Sequence, residues 1–368
     1  MSLHRIAILG AGNGGCAAAA DLTLRGYEVC LYSRSEATLR PIREQGGIEI
    51  VEAGEARKAT PALITSEIND AVAGADLIII AAPAVAHEDF AASLASQLRD
   101  GQIILLNPGH TGGSLHFAWA LKKKQPNVKP LICETVTLTY ICRLKGPAQV
   151  EVYRRTTHLR CAAFPAKFTG EIVPAIKGVF PNIVSARNVM ETGLSNINAI
   201  MHPAGMVADA GWLEKSSGDF RFYAEGITPA VAEIITKVDE ERLEIVRQFG
   251  LPALSFVEIF YQAGLTTGAA RSSGSVYRAI HESAPNKTIK APASLNHRYL
   301  NEDVGYGLVP MAALGKWLGV KTPVIDALIT LASAINRRDY RQDGLTLEKM
   351  GLASVTRQDF ETVLQEGF

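Results

Sequence analysis

The glycine pattern near the N-terminus constrains the fold of this chain more than any other feature. The apolar run 6–9 leads directly into Gly10, Gly12 and Gly15, and an alanine-rich stretch that favours a helix follows. A strand, a G-x-G-x-x-G turn and a helix, in that order, open a doubly wound α/β domain. The first glycine permits the tight turn, the second lets a pyrophosphate approach the backbone, and the third lets the helix pack closely on the strand. This order predicts a dinucleotide site at the start of the chain.

The end of the second apolar run bears on which nicotinamide cofactor is bound. An NAD site usually has an Asp or Glu about 20 residues beyond the glycines, where it binds the ribose hydroxyls. This run ends instead in Ser33 and Arg34. An arginine beside a hydroxyl suits a 2′-phosphate, because charge-assisted hydrogen bonds to phosphate are strong. We therefore expect NADP, with NAD as the alternative if Arg34 is only a solvated loop residue.

Apolar runs and helical stretches alternate through about residue 110, which predicts a parallel sheet covered on both faces. The predicted strands are 6–9, 29–32, 77–81 and 103–106, and the predicted helices are 35–45, 68–73 and 88–98. Turns that follow the third and fourth strands carry further candidate residues, because open α/β sheets bind ligands at the carboxyl ends of strands. The predicted cofactor-binding residues are Gly10, Gly12, Asn13, Gly14, Gly15, Ser33, Arg34, Pro83, Asn107 and Gly109.

The remainder of the chain changes character near residue 185. Segments 130–133, 148–153 and 158–163 are predicted to be further strands, with the interleaved polar residues typical of an antiparallel extension. Long helices are then predicted over 191–212, 229–249 and 310–337. The predicted fold class is α/β plus all-α: a Rossmann dinucleotide-binding domain over residues 1–185 and a helical substrate domain over 186–368.

Composition excludes several classes of partner. The 37 basic and 37 acidic residues cancel, so no net charge attracts nucleic acid or an anionic membrane. The five scattered cysteines form no C-x-x-C pair, which is typical of reduced thiols and favours a cytoplasmic location. The first strand begins too early for a signal peptide, and the longest apolar run, 77–86, is too short to span a bilayer. No cysteine, histidine or carboxylate spacing indicates a metal.

His202 is the first candidate for proton transfer. In a predicted helix it shares one face with Ser195 and Asn198, at i, i+3 and i+7 spacing. In a cleft, this histidine would act as a general acid and base near neutral pH. The alternative is a buried histidine that is hydrogen-bonded to a carbonyl.

The segment 296–307 is the second candidate, because it is dense in polar groups and precedes an apolar helix. Arg298 there would bind a carboxylate at two points, and a nearby carboxylate would orient a histidine. The alternative is a surface ion pair between Arg298 and Glu302 at i, i+4 spacing, worth a few tenths of a kcal/mol. Spacing alone leaves both interpretations open.

Lone polar residues complete the candidates. Glu134 follows a strand that looks buried, and it would either meet a substrate ammonium group or cap a turn. His87, His110 and His116 lie near the cofactor turns, where a loop histidine is more often solvated than catalytic.

Taken together, these motifs resemble one protein family over nearly the whole chain. The chain resembles the opine dehydrogenases, the octopine/nopaline dehydrogenase group, and most closely the bacterial N-(1-carboxyethyl)-norvaline dehydrogenase type. The matching segments are 9–15, 106–109, 111–113, 196–203, 225–229, 298–299, 302–304, 307–310 and 346–352. The resemblance implies a Rossmann domain followed by a helical domain. The chain departs from the nearest members at Ser33 and Arg34, where they carry an acidic residue and use NAD.

The resemblance also implies a reaction and its residues. A 2-oxo acid and the amino group of an amino acid condense to an imine, which is reduced by the nicotinamide to a secondary amine dicarboxylate. His202 would be the catalytic histidine, Asp303 its acidic partner and Arg298 the group that binds the oxo-acid carboxylate. Asn198 and Glu134 complete the predicted substrate-binding set.

Two other functions remain open at this point. One is an NADP-dependent dehydrogenase of a hydroxy or keto acid on the same scaffold, which would need no amine. The other is a regulator that senses NADP and catalyses nothing, although such a protein needs no proton-transfer group. The apolar final helices are expected to form a homodimer interface.

Overall fold

The short apolar runs of the first half form strands, as their composition predicts. The structure is a computed structural model that describes residues 3–125 and 127–368. The strands in chain order are β1 Arg5–Leu9, β2 Glu28–Tyr32, β3 Ile48–Glu52, β4 Glu55–Ala59, β5 Leu63–Thr65, β6 Leu77–Ile80, β7 Ile103–Leu106, β8 Leu131–Thr135, β9 Tyr140–Gly146, β10 Gln149–Arg155, β11 Leu159–Phe164 and β12 Ile183–Ser185.

The larger sheet carries the predicted dinucleotide site. Its strand order over the described residues is β12-β11-β8-β7-β6-β1-β2-β5. All neighbouring strands run parallel except β8 and β11, which are antiparallel. The strand order reverses beside β1, between β2 and β6, and such a switch point is where open α/β sheets bind ligands.

Both faces of this sheet are buried, which explains its uninterrupted apolar strands. Successive side chains of a strand point to opposite faces. Ile6 and Ile8 accordingly belong to one apolar core, and Ala7 and Leu9 belong to the other.

The later strands fit the predicted antiparallel extension only in part. The predicted strand 130–133 is β8, which pairs parallel to β7, whereas 158–163 is β11 and is antiparallel. The predicted strand 148–153 is β10, and it lies in a second sheet of order β4-β3-β10-β9. The alternating polar residues of β10 reflect this half-exposed sheet.

Helices cover the sheet and make up most of the second half of the chain. They are α1 Asn13–Leu24, α2 Glu36–Glu44, α3 Ile68–Val72, α4 His87–Leu94, α5 Gly113–Lys124, α6 Thr169–Val179, α7 Val189–Leu194, α8 Asn198–Ala208, α9 Ala210–Ser216, α10 Pro229–Gln248, α11 Phe256–Gln262, α12 Gly268–Ser273, α13 Val276–His281, α14 Arg298–Asn301, α15 Val309–Leu318, α16 Pro323–Asn336, α17 Tyr340–Asp343 and α18 Arg357–Glu366. Phe222–Gly226 and Val304–Leu308 are π-helical turns.

Two of the long helices were predicted to be continuous, and this is wrong, because each is divided into shorter helices. The segment 191–212 contains α7, α8 and α9, so Ser195 lies between helices and does not share a face with His202. The Asn196 side chain accepts a hydrogen bond from the Asn198 backbone at 3.2 Å, which replaces the helical pattern with an Asx turn. The segment 310–337 breaks at Gly319, which takes a left-handed φ of 78°.

Contacts divide the chain into two units. The first comprises residues 3–109, 113–192 and 354–368, and the second comprises 110–112 and 193–353. The domain boundary near residue 185 stays a prediction. Within the described part of the chain, no helix is long and apolar enough to cross a bilayer.

Candidate active site

The glycine turn of the first unit has the geometry that a pyrophosphate requires. Gly10 has a φ of 116°, and a Cβ there would lie 2.6 Å from the carbonyl oxygen of Ala81. A Cβ at Gly15 would lie 1.7 Å from the Gly10 oxygen, so helix α1 can approach β1 only with glycine at this position. A Cβ at Gly12 would meet no atom within 4 Å. The amides at the start of α1 therefore border open space, which suits a bound phosphate.

Other predicted cofactor residues hold the surrounding turns. The Asn13 side chain accepts a hydrogen bond from the Leu144 backbone at 2.8 Å. The Asn107 side chain donates to the Thr139 hydroxyl at 2.7 Å and accepts from the Thr139 backbone at 3.2 Å. Both amide side chains are therefore committed to shaping the turns.

Three small or rigid residues of the predicted set complete these turns. Leu138 packs against Gly14, and the Glu134 side chain packs against Gly109. Pro83 precedes a short 3₁₀ turn after β6. Each leaves backbone, and not a long side chain, at the carboxyl edge of the sheet.

The residues after β2 leave a cation exposed. Ser33 accepts a hydrogen bond from the Ser35 backbone at 3.2 Å, and Ser35 caps helix α2. Arg34 is exposed, and it makes no ion pair or hydrogen bond with any residue that the structure describes. Its guanidinium is available to an anion from solution.

Glu134 lies in the core of the first unit. Its Oε2 accepts hydrogen bonds from the Ser114 backbone at 3.0 Å and from the Ser114 hydroxyl at 2.6 Å. The Thr192 hydroxyl donates to its Oε1. A carboxylate at the first turn of α5 stabilises that helix end, so this geometry favours the turn-capping alternative. Binding of a substrate ammonium group by Glu134 stays a prediction.

His202 and Asp303 form a buried pair in the second unit. His202 lies on α8, and its Nδ1 is 2.7 Å from Oδ2 of Asp303, which directly precedes a π-helical turn. The two residues are 3% and 0% exposed. A carboxylate at Nδ1 fixes the imidazole tautomer with its proton on Nδ1, which leaves Nε2 as the basic atom.

A tyrosine pair surrounds that basic atom. The Tyr223 hydroxyl lies 2.8 Å from His202 Nε2 and 3.3 Å from the Tyr299 hydroxyl. The Tyr299 ring stacks on the imidazole with 3.7 Å between centroids. The histidine is thus held on one edge by a carboxylate, on one face by an aromatic ring, and at Nε2 by a hydroxyl that can exchange protons.

The buried carboxylate of Asp303 is incompletely satisfied. Its Oδ1 has no hydrogen-bond partner among residues 3–125 and 127–368. A buried charge with few partners is costly and is characteristic of functional sites.

A second histidine–carboxylate pair lies beside the first. His110 Nε2 is 2.9 Å from Glu302 Oε1, and Arg298 Nε is 3.1 Å from Glu302 Oε2. Burial lowers the pKa of His110, but the facing Glu302 and the nearby Asp303 outweigh this and raise that pKa above its ordinary value. Arg298 forms the predicted i, i+4 ion pair with Glu302, and its side chain is 46% exposed. This geometry is compatible both with a surface ion pair and with binding of a substrate carboxylate.

Asn198 lies one helical turn before His202. The two residues are at i, i+4 on α8, which places them on the same face. The half-buried Asn198 side chain makes no hydrogen bond with the residues described.

Sequence reasoning missed several members of this cluster. His110 was expected to be a solvated loop residue, and that expectation is wrong, since His110 is only 2% exposed. Tyr299 and Glu302 lie in the polar segment 296–307, so its density was a usable signal. Tyr223 had no such signal, because a π-helical turn is not readable from spacing. In the described chain, no group of three or more potential ligands is arranged to hold a metal ion.

Comparison with known proteins identifies the family. Residues 185–336 match the model for the NAD/NADP octopine/nopaline dehydrogenase alpha-helical domain. Residues 5–105 match the model for NADP oxidoreductase, coenzyme F420-dependent. An opine dehydrogenase from Arthrobacter sp. (strain 1C) is 38% identical over 360 residues, which cover 98% of each chain. The chain belongs to the opine dehydrogenase family.

Solved structures agree with this fold. Octopine dehydrogenase with NADH and pyruvate has a TM-score of 0.77 at 20% identity, covering 98% of each chain. Yersinopine dehydrogenase with NADP⁺ has a TM-score of 0.74 at 14% identity, covering 100% of this chain and 98% of the other. The predicted fold class, a Rossmann domain with a helical C-terminal domain, is confirmed.

Membership of the family also confirms the predicted reaction class. The chain is an NAD(P)-dependent oxidoreductase that acts on CH–NH bonds and reductively condenses a 2-oxo acid with an amino acid. Its substrates are small molecules.

Proposed function

We propose that this opine dehydrogenase uses NADPH in preference to NADH, and that His202, Asp303 and Arg298 carry its chemistry. The observation that carries the proposal is the buried His202–Asp303 pair at 2.7 Å, with the basic Nε2 directed to a hydroxyl. A histidine held in this way transfers protons near neutral pH.

The proposed role of His202 follows the protons of the reaction. When the amine adds to the carbonyl carbon, its nitrogen gives up one proton and the carbonyl oxygen gains one, which forms a hydroxyl. A second proton must reach that hydroxyl for it to leave as water. His202 Nε2 accepts the amine proton and delivers it to the oxygen, and it then delivers a second proton taken up from solvent, while Asp303 stabilises the imidazolium each time it forms. The nicotinamide, when bound, supplies the hydride that reduces the imine carbon.

Arg298 is proposed to bind the carboxylate of the oxo acid. Glu302 holds its Nε, whereas the terminal Nη1 and Nη2 make no hydrogen bond with described residues. These two donors present the planar fork that matches a carboxylate at two points. Half-buried Asn198, on the same helix face as His202, is proposed to orient the substrate through its amide.

The preference for NADPH rests on Arg34. The relatives differ in cofactor, since the octopine dehydrogenase structure contains NADH and the yersinopine dehydrogenase structure contains NADP⁺. In this chain an exposed arginine without a partner follows β2, where NAD sites carry a carboxylate.

An assay matrix tests the proposed function. Several 2-oxo acids are combined with several amino acids, and oxidation of NADPH and NADH is followed with each component omitted in turn. We expect turnover only when oxo acid and amino acid are both present. Turnover without amine would indicate a keto-acid reductase, and cofactor binding without any turnover would indicate a sensor.

Two further properties belong to this proposal. We propose a cytoplasmic location, which is supported by five cysteines that are all free and buried. We also propose a homodimer formed through the final apolar helices, which is supported by Leu331 of α16 at 51% exposure. Sedimentation of the unmodified chain and of Leu331→Lys tests the dimer.

A further inference from the structure

His110 is held inside the second unit by a strained backbone. Its φ is 62°, in the left-handed region that non-glycine residues seldom adopt. The neighbouring Thr111 hydroxyl donates to the Gly193 carbonyl at 3.0 Å, and a Cβ at Gly193 would lie 3.1 Å from the His110 oxygen. Strain of this kind persists where the surrounding structure enforces it, and it clusters at functional sites.

The groups that face His110 form a charge-balanced cluster. Glu302 contacts its Nε2, and the Asn196 amide nitrogen lies 3.2 Å from its Nδ1. Nδ1 therefore accepts a hydrogen bond from Asn196 when His110 is neutral, and this amide must turn away when Nδ1 is protonated. Asp303 and Arg298 are the other charged groups close enough to affect it. With His110 protonated and His202 neutral, two cations balance two carboxylates. Without the His110 proton, the cluster carries one net negative charge.

Glu302 links this balance to the proposed substrate site. Its two oxygens are shared between His110 and Arg298. When His110 is cationic, it neutralises much of the Glu302 charge, and the Arg298 guanidinium keeps a positive potential for an incoming anion. When His110 is neutral, it no longer offsets the Glu302 charge, and this carboxylate lowers the positive potential at Arg298.

We propose that the His110–Glu302 pair is a protonation-dependent positioning device that sets the affinity of Arg298 for the oxo-acid carboxylate. His110 is a positioning residue in this scheme, because it acts through Glu302. The inference rests on the proposed role of Arg298. The deprotonated cluster binds an anion more weakly, so the Kd of the oxo acid rises with pH, by up to tenfold per unit for one linked proton.

Direct binding of pyruvate is the cleanest measurement. Pyruvate is titrated calorimetrically into the enzyme saturated with NADP⁺ between pH 5.5 and 9, so neither an amine nor hydride transfer takes part. Pyruvate stays ionised over this range, so any inflection belongs to the complex of the enzyme with NADP⁺, whose 2′-phosphate also titrates at about pH 6 when free. We expect the Kd to be lowest at acid pH and to rise through one inflection.

Three variants assign that inflection. His110→Gln keeps a donor toward Glu302 but removes the charge, so it abolishes the inflection and gives the weak, high-pH Kd throughout. Glu302→Gln removes the group that raises the His110 pKa, so the inflection moves to lower pH. His281→Gln is the matched control, since His281 lies outside the cluster, where its Nε2 is 2.9 Å from the Ile227 carbonyl oxygen and its ring packs on Tyr277.

The outcomes separate this inference from the function on which it rests. An inflection that survives unchanged in His110→Gln overturns the inference, since the titrating group is then another one, such as His202. If Arg298→Lys leaves the pyruvate Kd unchanged, the proposed role of Arg298 fails first. Melting temperatures and NADP⁺ affinity of each variant verify that the folded enzyme is being compared.

Discussion

At the scale of single residues, buried titratable side chains are concentrated around His202 and His110. Two histidines and two consecutive carboxylates, Glu302 and Asp303, lie within the second unit at 3% exposure or less. Burying ions costs several kcal/mol each unless they are paired. The pairing is incomplete at Asp303, and this indicates a site kept for chemistry and not for stability.

Replacing His202 tests the proton-transfer role. We expect His202→Ala to lose about two to four orders of magnitude in turnover, the usual share of general acid–base catalysis. The affinity for NADPH should stay close to normal, because the glycine turn belongs to the other unit. Steady-state kinetics and cofactor titration measure both, and nearly unchanged turnover would make His202 a structural histidine.

Arg298 and Asp303 should fail in different ways. Arg298→Lys keeps the charge but loses the two-point fork, so the KM for the oxo acid should rise strongly. Asp303→Asn should reduce kcat and leave that KM comparatively unchanged, because an amide does not stabilise an imidazolium. Melting temperature is measured alongside. A loss of stability in both variants with unaltered kinetics would contradict the assignment.

Arg34 should determine the choice of cofactor. Arg34→Ala should weaken NADPH binding by about 1–3 kcal/mol, the range for a hydrogen bond to a charged group. NADH binding serves as the internal control and should change little. Dissociation constants for both cofactors decide the matter, and a clear preference for NADH in the unmodified chain would disprove the proposal.

At the scale of elements, close packing between α8 and the π-helical turn Val304–Leu308 aligns His202 with Asp303. A Cβ at Gly307 would lie 2.4 Å from the Cβ of Ala199 on α8. A methyl group cannot fit there unless one backbone segment moves.

Enlarging Gly307 should therefore disturb the active site without touching a functional side chain. We expect Gly307→Ala to lower stability by about 1–3 kcal/mol, as overpacking does, and to reduce kcat more than the cofactor affinity. Gly211→Ala on α9 is the matched control, because nothing lies within 4 Å of its Cβ. That change should stabilise the chain by up to about 1 kcal/mol. Equal thermal and kinetic behaviour of the two variants would refute this packing argument.

Elements differ in how well the sequence predicts them. The four apolar runs became β1, β2, β6 and β7 within a residue or so, because burial on both faces leaves a strong signal. The break at Asn196 was missed because a side chain competes there with the helical hydrogen bonds. The break at Gly319 carried a readable signal, since a glycine followed shortly by Pro323 ends one helix and begins the next.

The candidate site was predictable only in part. The His202, Arg298 and Asp303 set followed from motifs that the chain shares with a known family. The contacts of His110 did not, because they join residues nearly two hundred positions apart and depend on a left-handed backbone at His110. Long-range pairing of this kind leaves no local periodicity.

At the scale of the whole molecule, the chain returns to the first unit at its end. Residues 354–368 belong to that unit, where Phe368 packs against Trp119 and Phe164 at centroid distances of 5.0 and 5.2 Å. Lys167 and Glu366 form an ion pair at 2.7 Å in the same region. The first unit is thus assembled from separated stretches of chain, and its stability depends in part on the contacts of residues 354–368.

The cysteines are distributed so that a thiol reagent can report on one unit and not on the other. All five thiols are buried in the first unit, and the second unit contains none. Burial raises the pKa of Cys16 and Cys142 to about 12, so neither reacts as a thiolate while the fold is closed. The rate at which a thiol reagent labels the native enzyme therefore measures how often the nucleotide-binding unit opens, and it does not depend on openings of the second unit. The labelling rate should fall when NADP⁺ is bound, and it should not change when the structure around His202 unfolds locally.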